Sequence, residues 1–257
     1  MGQSVTWRVV GASAIGTSHA DSGTPCQDSC WAQVDQLLNG SPLLTMFVAD
    51  GAGSAINGGQ GAELAIATAA ELMTQKAMQG EFDLDKQLAI DLVLAIRVRI
   101  LAEAEAQHLK ARDYACTFLG VVSSPVGTLV FQIGDGAVVL DTGSGLELAI
   151  TPMSGEYVNM THFATDENAV EVLATKTYPD KVIKVAAFSD GIQRLALDLA
   201  SNTPHEPFFA PFFAVMATAT AEQEDQLHHL LMQFLNSIPV NERTDDDKTL
   251  VFAHSMF

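Results

Sequence analysis

The sequence predicts an α+β fold, with two groups of strands mostly linked as hairpins and four or five helices. Three observations carry that reading. Strand-like apolar runs follow one another across Gly- and Pro-containing turns, as hairpins do. The long helices come as pairs instead of alternating with every strand, which argues against a doubly wound parallel sheet. No linker-like composition interrupts the 257 residues, so residues 1–257 are expected to form a single domain.

Residues 5–14 read as an opening strand, alternating around Trp7 and Val9. Residues 16–25 are too rich in turn formers for regular structure. A short strand follows over 29–34. The apolar run 43–49 then reads as a strand buried on both faces. Residues 60–79 are rich in Ala, Leu and Glu and predict a helix with an apolar stripe through Leu64, Ala67 and Leu72. Gly80 to Asp83 breaks it, and a second helix is expected over 85–111 on Leu88, Leu92, Ala95 and Ile96.

Runs at 115–123, 128–133 and 137–140 read as an antiparallel meander, with Pro125-Val126-Gly127 and Gly134-Asp135-Gly136 as its turns. Another run follows at 146–150. Residues 151–181 are less regular and form a candidate flap. A helix starts near Ile192, and residues 201–207 form a loop. Phe208, Phe209, Phe212 and Phe213 pack a further helix. An amphipathic helix over 222–235 ends at Asn236-Ser237-Ile238-Pro239, with His228 and His229 exposed. The last strand covers 250–253. Met73 and Met78 read as core filler.

Bulk properties exclude several classes. The net charge of −18 disfavours nucleic-acid backbones and anionic membranes as partners. No apolar run approaches the ~20 residues of a membrane helix, and the N-terminus lacks a signal core. Cys26, Cys30 and Cys116 have no CxxC spacing and fit reduced thiols. A cytoplasmic protein without zinc is expected.

Five aspartates stand at the edges of strands. Asp28 precedes the second strand. Asp50 ends the apolar run Phe47-Val48-Ala49 and is followed by Gly51-Ala52-Gly53. Asp135 lies in Gly-Asp-Gly, Asp190 in Ser-Asp-Gly, and Asp246 in Asp245-Asp246-Asp247-Lys248-Thr249. An Asp-Gly alone is common turn chemistry. Recurrence changes its meaning, because converging carboxylates repel and oppose folding unless cations sit between them. Oxygen ligands without Cys or His imply Mg²⁺ or Mn²⁺.

In this order and spacing, Gln27-Asp28, Asp50-Gly51-x-Gly53, Gly134-Asp135-Gly136, Ser189-Asp190-Gly191 and Asp246-Asp247-x-Thr249 resemble the metal-dependent Ser/Thr protein phosphatases (type 2C, or PPM, family). The resemblance spans residues 5–253, and Gly155-Glu156-Tyr157-x-Asn159-x-Thr161 is similar to a bacterial branch. It implies a four-layer α-β-β-α sandwich, two antiparallel sheets face to face with paired helices outside. It further implies two Mn²⁺ or Mg²⁺ ions at one end, with a bridging water that attacks phosphorus. By position, Asp50 matches the bridging carboxylate and Gly51 a backbone carbonyl ligand. Asp190 and Asp246 match terminal ligands. Asp28 matches a residue holding metal-bound water, and Asp135 one associated with a third, weaker ion. Phosphoserine and phosphothreonine proteins are the implied substrates, and a partner Ser/Thr kinase the implied counterpart.

Two positions depart from the family pattern. Ala52 stands where well-studied eukaryotic members carry a His, a proposed leaving-group acid. Gly23 stands where they carry a phosphate-gripping Arg. His19 is the candidate to replace either, as phosphate ligand or general acid; His162 in the flap is weaker. An alternative is a non-catalytic phosphatase-like binding or sensing module. Retention of Asp50, Asp190 and Asp246 favours activity, since a decayed site has little reason to keep like charges together. A nucleotide-phosphate loop fails on the missing Gly-Lys-Ser/Thr.

Overall fold

A computed structural model describes residues 6–80, 82–153 and 161–256. In chain order the elements are β1 (Thr6–Ala14), α1 (Thr17–Ser22), β2 (Asp28–Gln36), β3 (Pro42–Asp50), α2 (Gly58–Gln79), α3 (Lys86–Ala106), β4 (Phe118–Ser124), β5 (Gly127–Ile133), β6 (Ala137–Asp141) and β7 (Leu146–Leu148). Then come α4 (Ala169–Val172), β8 (Ala174–Tyr178), β9 (Lys184–Phe188), α5 (Asp190–Ala196), β10 (Leu197–Asp198), β11 (Thr203–Pro204), α6 (Glu206–Thr218), α7 (Glu224–Leu235), α8 (Ile238–Asn241) and β12 (Lys248–Met256). Two five-stranded sheets run in the orders β1-β12-β9-β6-β7 and β2-β3-β4-β5-β8, and every pairing in them is antiparallel.

Strand alternation sorts the side chains into layers. Leu44, Met46, Val48, Val121 and Val130 share a buried cluster with Val138, Leu140, Val185, Ala187 and Val251 of the other sheet. Residues of the opposite parity carry the helices. Leu43, Phe47, Phe118 and Phe131 meet α2 and α3, whereas Val10, Phe188, Leu250 and Phe252 meet α6 and α7. The result is the expected four-layer sandwich, with β3 buried throughout its interior.

Several local expectations change. Gly134-Asp135-Gly136 is not a hairpin turn: β5 and β6 belong to different sheets, and the tripeptide carries the chain between them. Residues 16–25 contain the helix α1, held by tertiary contacts. Ser18 donates its N–H and Oγ to the Asp245 carbonyl at 3.0 and 2.7 Å, and Gly23 closes the helix at φ 72°. The sheet-facing side of α2 is Ala62, Ala65, Ala69 and Met73; Leu64 and Leu72 are half-buried and Ala67 is exposed. Small residues let this helix lie close, and a Cβ at Gly61 would sit 2.1 Å from the Tyr114 carbonyl oxygen. Met78 is exposed, not core. Helix α3 stops at Ala106, because His108 turns left-handed at φ 57°. The candidate flap at 151–181 is only partly irregular, since β8 pairs with β5 as an edge strand. Its residues 154–160, which carry most of the Gly-Glu-Tyr motif, lie outside the described residues.

Candidate active site

Both sheets deliver acidic residues to the same end of the sandwich. Asp28 opens β2 and Asp50 closes β3, and the register places them directly opposite each other. Past Asp50 the chain must pass another backbone. A Cβ on Gly51 would stand 2.3 Å from the Gly58 carbonyl carbon, so only glycine fits. Thr117 fixes Asp50 from both sides: its N–H donates to the Asp50 carbonyl at 2.8 Å, and its Oγ1 accepts from the Asp50 N–H at 3.0 Å.

Asp135 sits at the crossover between sheets, beside Gly134 at φ 108°. The Thr161 hydroxyl donates to it at 2.6 Å. Asp190 is the first residue of α5, immediately after β9, and Asp246 lies just before β12. A Cβ on Gly191 would meet the Asp247 carbonyl at 2.0 Å, which shows how tightly the last two segments pack. Asp50, Gly51, Asp135, Asp190, Asp246 and His19 line one cleft of about 380 Å³. Asp28 lies buried behind it and accepts from the Ser189 hydroxyl at 2.7 Å.

The electrostatics of this end oppose the fold. Burial, and then repulsion from Asp28, Asp190, Asp246 and Asp135, pushes Asp50 well above the ordinary carboxylate range. Burial raises Asp28 to about 7, with added repulsion from Asp247 and Asp190, although hydrogen bonds from Ser189 and Thr249 pull it back. Asp190 rises to about 6 through burial and the charges of Asp135 and Asp246. No Lys or Arg lines the cleft among the described residues. Oδ1 of Asp28 and Oδ1 of Asp190 are buried without any hydrogen-bond partner. Uncompensated carboxylate oxygens of this kind fit a cation.

Among the described residues no three acidic, His or Cys side chains close around a single point as a protein-only cage would. Mg²⁺ and Mn²⁺ do not require one. Such hard cations use one or two carboxylates with backbone carbonyls and retained waters. The donors here are of that type, and the cleft has room for water.

His162 stays out of the cleft lining, with its Nδ1 4.0 Å from Asp166. Ala52 does line the cleft, whereas Gly23 caps α1 with open space around it. Sequence reasoning left three residues aside. Thr117 lies inside the run 115–123 read as a strand, yet it positions Asp50. Ser189 positions Asp28. Asp247, only 2 % exposed, accepts from the Gly16 N–H at 2.6 Å, the Gln27 N–H at 2.5 Å and His19 Nδ1 at 2.9 Å. Its signal was the third carboxylate in Asp245-Asp246-Asp247, which a turn alone does not require.

The family model described as protein phosphatase 2C matches residues 15–232. The chain belongs to the protein phosphatase 2C family. It is therefore a serine/threonine protein phosphatase of the metal-dependent class that its aspartate motifs resemble. The matched span holds Asp28, Asp50, Asp135 and Asp190; Asp246 lies beyond it and reaches the cleft through β12. The chain is 58% identical over 249 residues to serine/threonine-protein phosphatase 3 of Escherichia coli (strain K12), covering 97% of this chain and 98% of that one.

Solved structures share the fold at low identity. A bacterial serine phosphatase superposes with a TM-score of 0.64 at 12% identity, covering 97% of this chain and 98% of that one. The catalytic domain of the phosphatase PstP, in complex with two manganese ions, gives 0.63 at 16% identity, covering 98% and 100%. In the protein phosphatase 2C chain described here, no helix among the described residues is long and apolar enough to cross a membrane.

Proposed function

We propose that this phosphatase hydrolyses phosphoserine and phosphothreonine in proteins with two divalent ions, Mn²⁺ or Mg²⁺, held at the aspartate cleft. Asp50, the Gly51 carbonyl, Asp190 and Asp246 are the direct ligands in this reading. Asp28 acts through a bound water, and Asp135 serves a third, weaker ion. The observation that carries it is the cleft itself: four carboxylates and a fifth behind them, with orphaned oxygens and no Lys or Arg in the lining among the described residues. When bound, such ions acidify a coordinated water to near neutrality and offset charge on phosphoryl oxygens.

The chain's own residues supply position. Thr117 holds Asp50 at the end of β3, and Ser189 and the Thr249 N–H form a short relay that orients Asp28. The cleft is open at the surface, which suits a side chain presented by another protein. Phosphorylated proteins are the proposed substrates, and a Ser/Thr kinase acting on the same proteins is the proposed counterpart.

The test is phosphate release from a phosphothreonine peptide by metal-stripped protein, with Mn²⁺ restored, beside Asp190→Ala. Turnover that requires Mn²⁺ and vanishes in the variant supports the reading. Mn²⁺ binding without turnover would favour the sensing module, and absence of both would overturn the assignment.

A further inference from the structure

Expelling a serine or threonine oxygen from phosphorus leaves an alkoxide, a poor leaving group unless it is protonated as the bond breaks. The cleft holds few groups able to give that proton. Its described lining is carboxylates, Gln27, Ser54, Thr117, Thr161, Phe163 and glycine or alanine, with one exception. That exception is His19, delivered by α1.

Its ring is held in one orientation. Nδ1 lies 2.9 Å from Oδ2 of Asp247, which also takes the Gln27 N–H, while Oδ1 takes the Gly16 N–H. Asp247 is thus an acceptor anchored by two backbone donors before it meets the ring. A carboxylate at Nδ1 holds a proton on that nitrogen and sets the ring's orientation, leaving Nε2 as the nitrogen directed to chemistry. Among the described residues Nε2 has no partner in the protein. The charged groups facing the ring are Asp247 and, around the cleft, Asp50, Asp135, Asp190 and Asp246. Nearby Lys248 is engaged with Asn241 at 2.7 Å.

The geometry points to His19 as the acid that protonates the departing serine or threonine oxygen, with Asp247 as its positioning residue. This deepens the phosphatase reading and rests on it. As water oxygen bonds to phosphorus, the bond from phosphorus to the side-chain oxygen breaks, and its electron pair stays on that oxygen. The Nε2 proton completes the alcohol. The proton lost by the attacking water restores the imidazolium through solvent, so the balance is ester plus water to alcohol plus phosphate.

The experiment compares two esters at saturating Mn²⁺: a phosphothreonine peptide, whose leaving group needs the proton, and p-nitrophenyl phosphate, whose leaving group does not. His19→Gln should lower kcat on the peptide by about 100-fold or more. It should leave kcat on the aryl ester within a few-fold and both KM values nearly unchanged. Asp247→Asn should show the same split at smaller size. Retained aryl-ester turnover reports an intact fold and metal site, and His19→Asn serves as the second variant. An equal fall on both esters, a rise in KM alone, or no change would overturn the assignment. A wild-type protein inactive on both esters would instead sink the phosphatase reading beneath it.

Discussion

Strand β12 serves two regions of opposite character. Its N-terminal approach brings Asp246 and Asp247 to the cleft, while Phe252 farther along lies 4.7 Å from the Phe212 ring and 5.3 Å from that of Phe213. Around Phe252, α6 and α7 build a layer in which Phe209, Phe213 and Leu231 are buried against Val10 and Phe188. Burial there is favourable for every group involved. At the cleft, burial is unfavourable for the carboxylates of Asp50, Asp28 and Asp190. Substitutions in the two regions should therefore separate stability from turnover.

The largest expected effect is on turnover. Asp50→Asn should lower kcat roughly 1,000-fold without lowering the melting temperature of metal-free protein, because it removes a buried, repelled charge. Paired kinetic and thermal measurements check this, and a variant that is both inactive and unstable would blur the contrast. Phe209→Ala should do the reverse. Losing a fully buried ring packed edge-on or tilted against Phe188, Phe208 and Phe252 should destabilise the fold by about 3–5 kcal/mol, with kcat unchanged per folded molecule. Urea unfolding with parallel assays would show it.

The smallest effect is a pH dependence. In the metal-free fold Asp28 and Asp190 keep their protons up to about 7 and about 6, above the ordinary 3.8. Between about pH 4 and pH 7 the native state then binds more protons than the unfolded chain, so this contribution makes stability fall as pH rises. Metal-stripped protein should need more urea to unfold at pH 5 than at pH 7.5. Mn²⁺ affinity should move the other way and weaken as pH drops through 7 to 6, since ions and protons compete for the same oxygens.

The two regions were not equally legible in the sequence. The cleft aspartates announced themselves because an aspartate at the edge of a strand-like run is a local pattern, and Asp28, Asp50, Asp135, Asp190 and Asp246 gather at one end of the sandwich. The fold class followed from hairpin-linked runs. What failed was information about partners distant in the chain. Gly134-Asp135-Gly136 has hairpin composition, yet which sheet β6 joins depends on β9. Helix α1 depends on the Asp245 carbonyl, more than 200 residues away, so its own turn-rich sequence argued against it. The stripe on α2 was misread because leucines looked like the core face, whereas close approach to the sheet favours alanines. Asp247 shows the same limit: its burial and its grip on His19 exist only once β12 lies beside α1.

The most direct test of the central claim, that this end of the fold is held against its own charge in order to bind cations, is thermal unfolding of Asp190→Asn beside wild type. Each would be stripped of metal and then titrated with Mn²⁺. The account predicts that the variant melts higher than wild type without metal and gains little from Mn²⁺. Wild type should gain in proportion to the logarithm of Mn²⁺ concentration once its site saturates. A variant that melts lower without metal and still gains as much from Mn²⁺ would contradict it.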